Sequence, residues 1–199
     1  NNRACGLEPV LGLDSTPNTI DELMSTEVIL AVGFDAAANQ VMRVKLMNAA
    51  KAGAKVVLIN PAGLEQDHMS FVTKAVYTEN NLDFLKQIAK ALITEESGKL
   101  EGYRKFAASL KGVKVSEDAE EIAALYGGAK KAMIVFQQNV VSVSCAELLA
   151  DLAVLSGHIG SPRDGILMVK SKNNSQGLVD LGITAGAEAL EGVKALLVF

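Results

Sequence analysis

Gly33-Phe34-Asp35 follows an apolar run at 28–32, and Asn60 closes a second such run at 55–59, so polar groups stand where α/β sheets collect their ligands. A dinucleotide fingerprint would place Gly-x-Gly-x-x-Gly after the first run to bring the backbone against a pyrophosphate, and only Gly33 is present. A nicotinamide site would also put an acid for the ribose hydroxyls where Asn60 stands. The residues therefore argue against an ordinary NAD site. Two readings stay open: a role at a nucleotide's edge, or Gly33 making the turn while Asn60 caps the next loop. A further candidate is KSKNNSQG at 170–177. Amides at that density serve as a turn, or as a surface that reads donors and acceptors on a heterocycle.

The other chemistry-bearing residues exclude more than they suggest. His68 and His158 are the only histidines, and neither has a cysteine or acid at ligand spacing, so a zinc or iron site is hard to build and structural roles are expected. No serine sits in Gly-x-Ser-x-Gly, which leaves a hydrolase elbow unsupported. Cys5 and Cys145 lie far apart, so neither a Cys-x-x-Cys site nor a disulfide framework is available, and reduced thiols in a cytoplasmic setting are the expectation. Cys145 opens an apolar helical face, where packing is its expected fate.

The elements that must position these residues follow from periodicity. The runs at 28–32 and 55–59 are β-branched and continuously apolar, as in parallel strands buried on both faces. Between them Met42, Leu46, Ala49 and Ala50 make one helical stripe, and Gly53 supplies the stop. A short apolar segment at 71–77 could be another strand, and Leu82, Leu85, Ile88, Ala89 and Leu92 give a helical face. Patterns at 100–110 and 119–126 read as solvated helices at a sheet edge. A strand at 132–136, a helix at 146–155 stopped by Gly157, and a short strand at 166–169 complete another βαβ-like unit. The final VKALLVF reads as a strand with no turn or partner after it, as in a piece excised from a longer polypeptide. The expectation is one three-layer, Rossmann-like α/β domain over residues 1–199, with a mainly parallel sheet.

Composition fits that expectation. Of the 199 residues 49% are hydrophobic and the mean hydropathy is +0.24, ample for a core and contrary to disorder. A net charge of −4 with no basic run offers no footprint for nucleic acid or an anionic membrane. No apolar stretch is long enough to span a bilayer, and NNRACGLEP is too polar for a signal peptide.

Taken in order, the motifs resemble one family. An opening R-x-C with V-x-G-L after it (Arg3, Cys5, Val10, Gly12, Leu13), then ILAVGFD, KAGAKVVLINP, AELLADLAVLSGHIGSPRDGI and NNSQG-x-x-D-x-G are similar to molybdopterin oxidoreductases. That family includes formate dehydrogenase catalytic subunits and the related large iron–sulfur subunit of respiratory complex I. The resemblance implies the α/β domain of the formate dehydrogenase/DMSO reductase type. On this domain such enzymes seat one half of a molybdopterin guanine dinucleotide carrying molybdenum or tungsten. It implies partners too: other domains of the parent chain with iron–sulfur clusters, and redox partner subunits. The isolated fragment is expected to carry no cofactor and to be inactive.

Residue by residue, Cys5 falls where formate dehydrogenases hold the cysteine or selenocysteine that ligates the metal, and a soft thiolate suits that role. Gly33, Phe34 and Asp35 match the family's loop after the first strand, and Asn60 and Pro61 its loop after the second. Asn173, Asn174, Gln176 and Gly177 match the amide-rich pterin-side segment. The departures are specific. Gly6 stands where formate dehydrogenases have a histidine, and Lys170, in the catalytic arginine's place, cannot give a bidentate grip on a carboxylate. Ala62 replaces the arginine of Asp-Pro-Arg, Gln137-Gln138-Asn139 replaces a Gly-rich turn and leaves Gln137 as the cofactor-side residue, and the connector after NNSQG is short. Two readings follow from the resemblance. One is a redox domain that seats the pterin dinucleotide; the other is a cofactor-less scaffold domain as in complex I.

Overall fold

Four of the five strands of the sheet are apolar on both sides, and the structure shows why: helices cover both faces. The computed structural model describes residues 6–64, 69–170, 172, 175–181 and 194. The strands are β1 (Val28–Val32), β2 (Lys55–Pro61), β3 (Lys74–Thr78), β4 (Ala132–Gln137) and β5 (Gly165–Val169). They form one sheet in the order β3-β2-β1-β4-β5, with every pair parallel. The expected parallel three-layer α/β fold is what forms, and the segment at 71–77 supplies β3.

The helices are α1 (Glu8–Leu11), α2 (Gln40–Lys51), α3 (Asn81–Leu92), α4 (Tyr103–Ser109), α5 (Glu117–Gly127), α6 (Val143–Ser156) and α7 (Ser175–Asp180). Strand alternation sorts the core into two layers. Leu30, Val32, Val57, Ile59, Ile134 and Phe136 face α3, α5 and α6. Ile29, Ala31, Val56, Leu58 and Val135 face Met42, Leu46 and Ala49 of α2, together with Leu23 and Phe34. The pattern at 119–126 is not a solvated edge helix: Ala119, Ile122, Ala123 and Tyr126 of α5 are buried against α3. Its acidic face misleads because Asp118 and Glu121 are committed to pairing with Lys74. Only α4 keeps the solvated character expected of both, with no buried residue.

Local chemistry fixes the helix ends. The Asn80 side chain accepts from the Leu82 and Asp83 N–H groups at the start of α3, and Ser142 accepts from Cys145 N–H at the start of α6. Cys145 packs into the core. Among the described residues, the outer edge of β5 is covered by side chains. Asn18 Oδ1 accepts from Ile166 N–H at 3.2 Å and Thr16 Oγ1 from Met168 N–H at 2.9 Å. This blunts the edge.

Where β4 and β5 begin, a buried polar knot joins the layers. Asp164 accepts from Lys131 Nζ at 2.6 Å, Ser161 Oγ at 2.8 Å and Ala132 N–H at 2.9 Å. Its fourth neighbour is His158 Nδ1 at 3.1 Å, and His158 Nε2 lies 2.9 Å from the Tyr126 carbonyl. Burial alone pushes the Asp164 carboxyl up, but these donors outweigh it and hold the group below its ordinary range. His158 is thus part of the frame.

Candidate functional site

The strand order reverses direction between β1 and β4, and in open α/β sheets the crevice beyond that point is where ligands bind. Gly33, Phe34 and Asp35 leave β1 there, and Gln137 to Asn139 leave β4 beside them. The two loops are tied together. Gln137 Oε1 accepts the Asp35 N–H at 3.0 Å, while its Nε2 donates to Asn139 Oδ1 at 2.8 Å. Asp35 turns its own loop, its Oδ1 accepting from Ala37 N–H at 2.9 Å and Ala38 N–H at 3.2 Å.

Asn60, at the end of β2, completes the cluster from the other side. Its Oδ1 accepts from Phe34 N–H at 2.8 Å, and its Nδ2 donates to the Phe34 carbonyl at 3.0 Å and the Leu64 carbonyl at 3.1 Å. Asn60 and Phe34 are both fully buried and Gln137 is 1% exposed, so their polar atoms serve the loops. Gly33 is required by two constraints. Its φ is +57°, and a Cβ there would stand 2.6 Å from Val141 Cγ2 and 3.2 Å from Val140 Cγ1. The space a glycine opens at this turn is filled by valines of the β4 loop. Pro61 ends β2, followed by Ala62, whose N–H donates to the Thr78 carbonyl at 2.9 Å.

A second cluster lies beyond β5. Lys170 follows the strand, and its Nζ is buried with no hydrogen-bond partner among the described residues. Lys170 and Lys172 line a pocket of about 370 Å³ together with Ser15, Thr16, Ser175 and Gln176. No acidic side chain lines it. A desolvated ammonium without a partner is costly, and an anion or a strong acceptor in the pocket would offset that cost. Gln176 Nε2 donates to Asp180 Oδ1 at 2.7 Å, which leaves its carbonyl oxygen as the free end; Gly177 sits next to it in α7.

The structure thus separates the sequence-derived candidates into two groups. Gly33, Phe34, Asp35, Asn60 and Gln137 converge on one another, whereas Lys170, Gln176 and Gly177 share the β5 pocket. Cys5, Asn173 and Asn174 lie outside the described residues, as do His68 and, Lys194 apart, the terminal VKALLVF segment. Sequence reasoning did not single out Ser15, Thr16 or Lys172. Two adjacent hydroxyls just after Asp14, and a second lysine in the KSK run, were the available signals. Gly6 is placed by the fold: at φ +94° its Cβ would come 2.5 Å from the Val143 carbonyl oxygen, where α6 begins. Among the described residues no group of three or more His, Cys, Asp or Glu side chains could hold a metal ion.

Comparison with known proteins gives the site its context. No protein-family profile matches the chain. It is 26% identical over 200 residues to formate dehydrogenase H of Escherichia coli K12, covering 89% of this chain and 28% of that protein. It is 24% identical to the F420-dependent formate dehydrogenase 2 subunit alpha of Methanococcus maripaludis, covering 89% of this chain and 29% of that subunit. The NADPH-Fe(3+) oxidoreductase subunit alpha of Geobacter sulfurreducens is 24% identical, with 89% and 24% covered. The chain therefore spans under a third of these relatives. Among solved structures, the formyltransferase/hydrolase complex (FhcABCD) of Methylorubrum extorquens in complex with methylofuran contains a chain that superposes with a TM-score of 0.52. That chain is 17% identical, with 90% of this chain and 47% of the other covered, which is a likeness of fold.

Proposed function

We propose that this chain is a domain of the molybdopterin oxidoreductase family, as its similarity to formate dehydrogenase subunits supports, and that in its parent enzyme it seats part of a molybdopterin guanine dinucleotide along the β5 edge. The observation that carries this reading is the buried, unpartnered ammonium of Lys170. A cationic pocket with hydroxyls on one wall and an amide on the other fits the phosphate and heterocycle chemistry of such a group. Lys170 and Lys172 supply charge, Ser15 and Thr16 supply hydroxyl contacts, and Gln176 orients a hydrogen-bonding edge. Asn173 and Asn174 of the same run belong to this side by resemblance, as does Cys5 as the metal's thiolate ligand. When bound, the group supplies the metal-centred two-electron chemistry. The chain's part is to bind it, to hold it by charge and to keep water from its buried face.

Gly33, Asp35, Asn60, Pro61 and Gln137 enter this reading as the frame of the crevice. Their hydrogen bonds hold the β1 and β4 loops at a fixed separation, with Phe34 as the buried wedge between layers. Formate is a poor fit as substrate. Its oxidation draws on a cation that fixes a carboxylate in one plane and on a proton acceptor beside the metal ligand, whereas Lys170 is a point charge and Gly6 has no side chain. Losing both groups leaves little turnover, since each such loss costs on the order of a hundredfold.

One observation favours a second reading, a scaffold domain that keeps the fold and carries no cofactor. The donors and acceptors at the β1/β4 crevice are spent on each other. Elemental analysis of molybdenum and tungsten in the full-length parent, with pterin fluorescence after oxidation, separates the two. Stoichiometric metal and pterin that fall when Lys170 is replaced by alanine support the first reading. A parent with neither, yet with intact electron transfer, supports the second.

A further inference from the structure

At the end of the domain opposite the crevice, α3, α5 and α6 finish side by side. Between their last turns lies a cleft of about 740 Å³ whose walls include Leu92, Thr94, Gly127 and Ser156. Leu100, Val154 and Leu155 line this cleft and also a hollow of about 130 Å³ that carries Tyr103, Phe106 and Asp151, so the two are one groove.

The charge is acidic at the part of the groove that holds Asp151. Glu120, Glu101 and Asp151 line these two hollows, and among the described residues no lysine, arginine or histidine does; Arg104 and Lys105 line the next hollow, on the other side of Gly102 and Tyr103. The helix ends add to the effect, because carbonyls at a helix C-terminus carry partial negative charge that a basic residue in the last turn ordinarily offsets. Neither α5 nor α6 has such a residue. The one in α3, Lys90, is turned away to donate to the Val113 carbonyl at 2.6 Å.

Asp151 makes the second, independent observation. It is half-buried on α6 and makes no hydrogen bond or ion pair with any described residue. Burial, with Glu147 close by, pushes its carboxyl up to about 6. A half-desolvated carboxylate beside two aromatic rings lacks a cation.

We propose that this groove receives a basic protein segment, an arginine or lysine flanked by aliphatic residues, from a part of the parent assembly outside this chain. The aliphatic neighbours lie on Leu92, Leu100, Val154 and Leu155. The cation meets Asp151, with the helix carbonyls and Glu120 at the other end of the groove. Tyr103 and Phe106 add favourable ring faces to a guanidinium. The assignment does not depend on the β5 pocket or on any cofactor.

The test titrates the chain with the peptide Ac-LRLLRL-NH2 and with its acidic counterpart Ac-LELLEL-NH2, following backbone amide shifts of Thr94, Leu100 and Gly157. The arginine peptide moves these amides saturably, and the acidic one does not. Asp151→Lys weakens the binding at least tenfold. Asp151→Asn, which keeps the shape and the fold, weakens it about threefold, and added salt weakens it further. Equal binding of both peptides, unchanged binding to Asp151→Asn, or shifts confined to other surfaces would overturn the proposal.

Discussion

The side-chain amide of Asn60 grips Phe34 at both of its backbone polar groups, accepting from the N–H at 2.8 Å and donating to the carbonyl at 3.0 Å. This clasp uses an amide's two-sided character, which a carboxylate lacks. Asn60→Asp, which would install the acid common in nicotinamide-binding units, turns the donating side into a buried charge facing two carbonyls. The expected loss is on the order of 3 kcal/mol, read by urea unfolding at pH 7. An unchanged midpoint would show that the clasp does not hold the loops.

Lys170→Met should act in opposite directions in two settings. In the chain without cofactor it removes a buried ammonium that has no partner, and thermal unfolding should shift upward by an amount equivalent to about 1 kcal/mol or more. In the parent, the same change should lower pterin and metal content. A stability loss in the unloaded chain would mean that the ammonium is already satisfied.

The Asp151 carboxyl titrates near 6 in the fold, against an ordinary value of 3.8. The folded state therefore binds the proton more tightly. Stability from this group is present below about 3.8 and is lost as pH rises through 6. Asp151→Asn should match the parent sequence at pH 4 and exceed its melting temperature at pH 8. Parallel melting curves for the two chains across that range would contradict the assignment.

Glu22 has the opposite sign. The Arg163 N–H at 2.6 Å is the main reason its carboxyl is held down at about 2, with the Thr19 N–H and the Asn18 amide adding to it. Its contribution is present above 4.5 and is lost as pH falls towards 2. Because the group is largely solvated, the effect is at most about 1 kcal/mol. Glu22→Gln should lower the melting temperature at pH 7 and leave it unchanged near pH 2.

Much of the sheet was legible because buried parallel strands write themselves as unbroken β-branched runs, as β1, β2 and β4 do. Gly53 and Gly157 marked helix ends for the same backbone reason. What misled was α5, whose acidic first turn suggested solvent while its ion pairs reach across to Lys74 on β3. Such a pairing is set by tertiary structure and has no local signature. At the candidate site the sequence named Asn60 and Gln137 but could not tell a ligand's partner from a loop's. That distinction depends on which hydrogen bonds are already filled, and filling is decided by neighbours distant in sequence, such as Asp35 for Gln137. Lys170 was legible as an exchange for arginine; its lack of a partner was not.

The tight approach of Gly6 to Val143 bears on what position 6 can hold. The carbonyl that opens α6 occupies the space a side chain at position 6 would need, and the backbone there sits at φ +94°, which disfavours any other residue. Gly6→His is therefore not a substitution this backbone accepts by itself. The start of α6 would have to move first, and Val143 is followed at once by core residues Cys145 and Ala146 that resist the shift. Packing at the start of α6 thus reserves position 6 for a residue without a side chain.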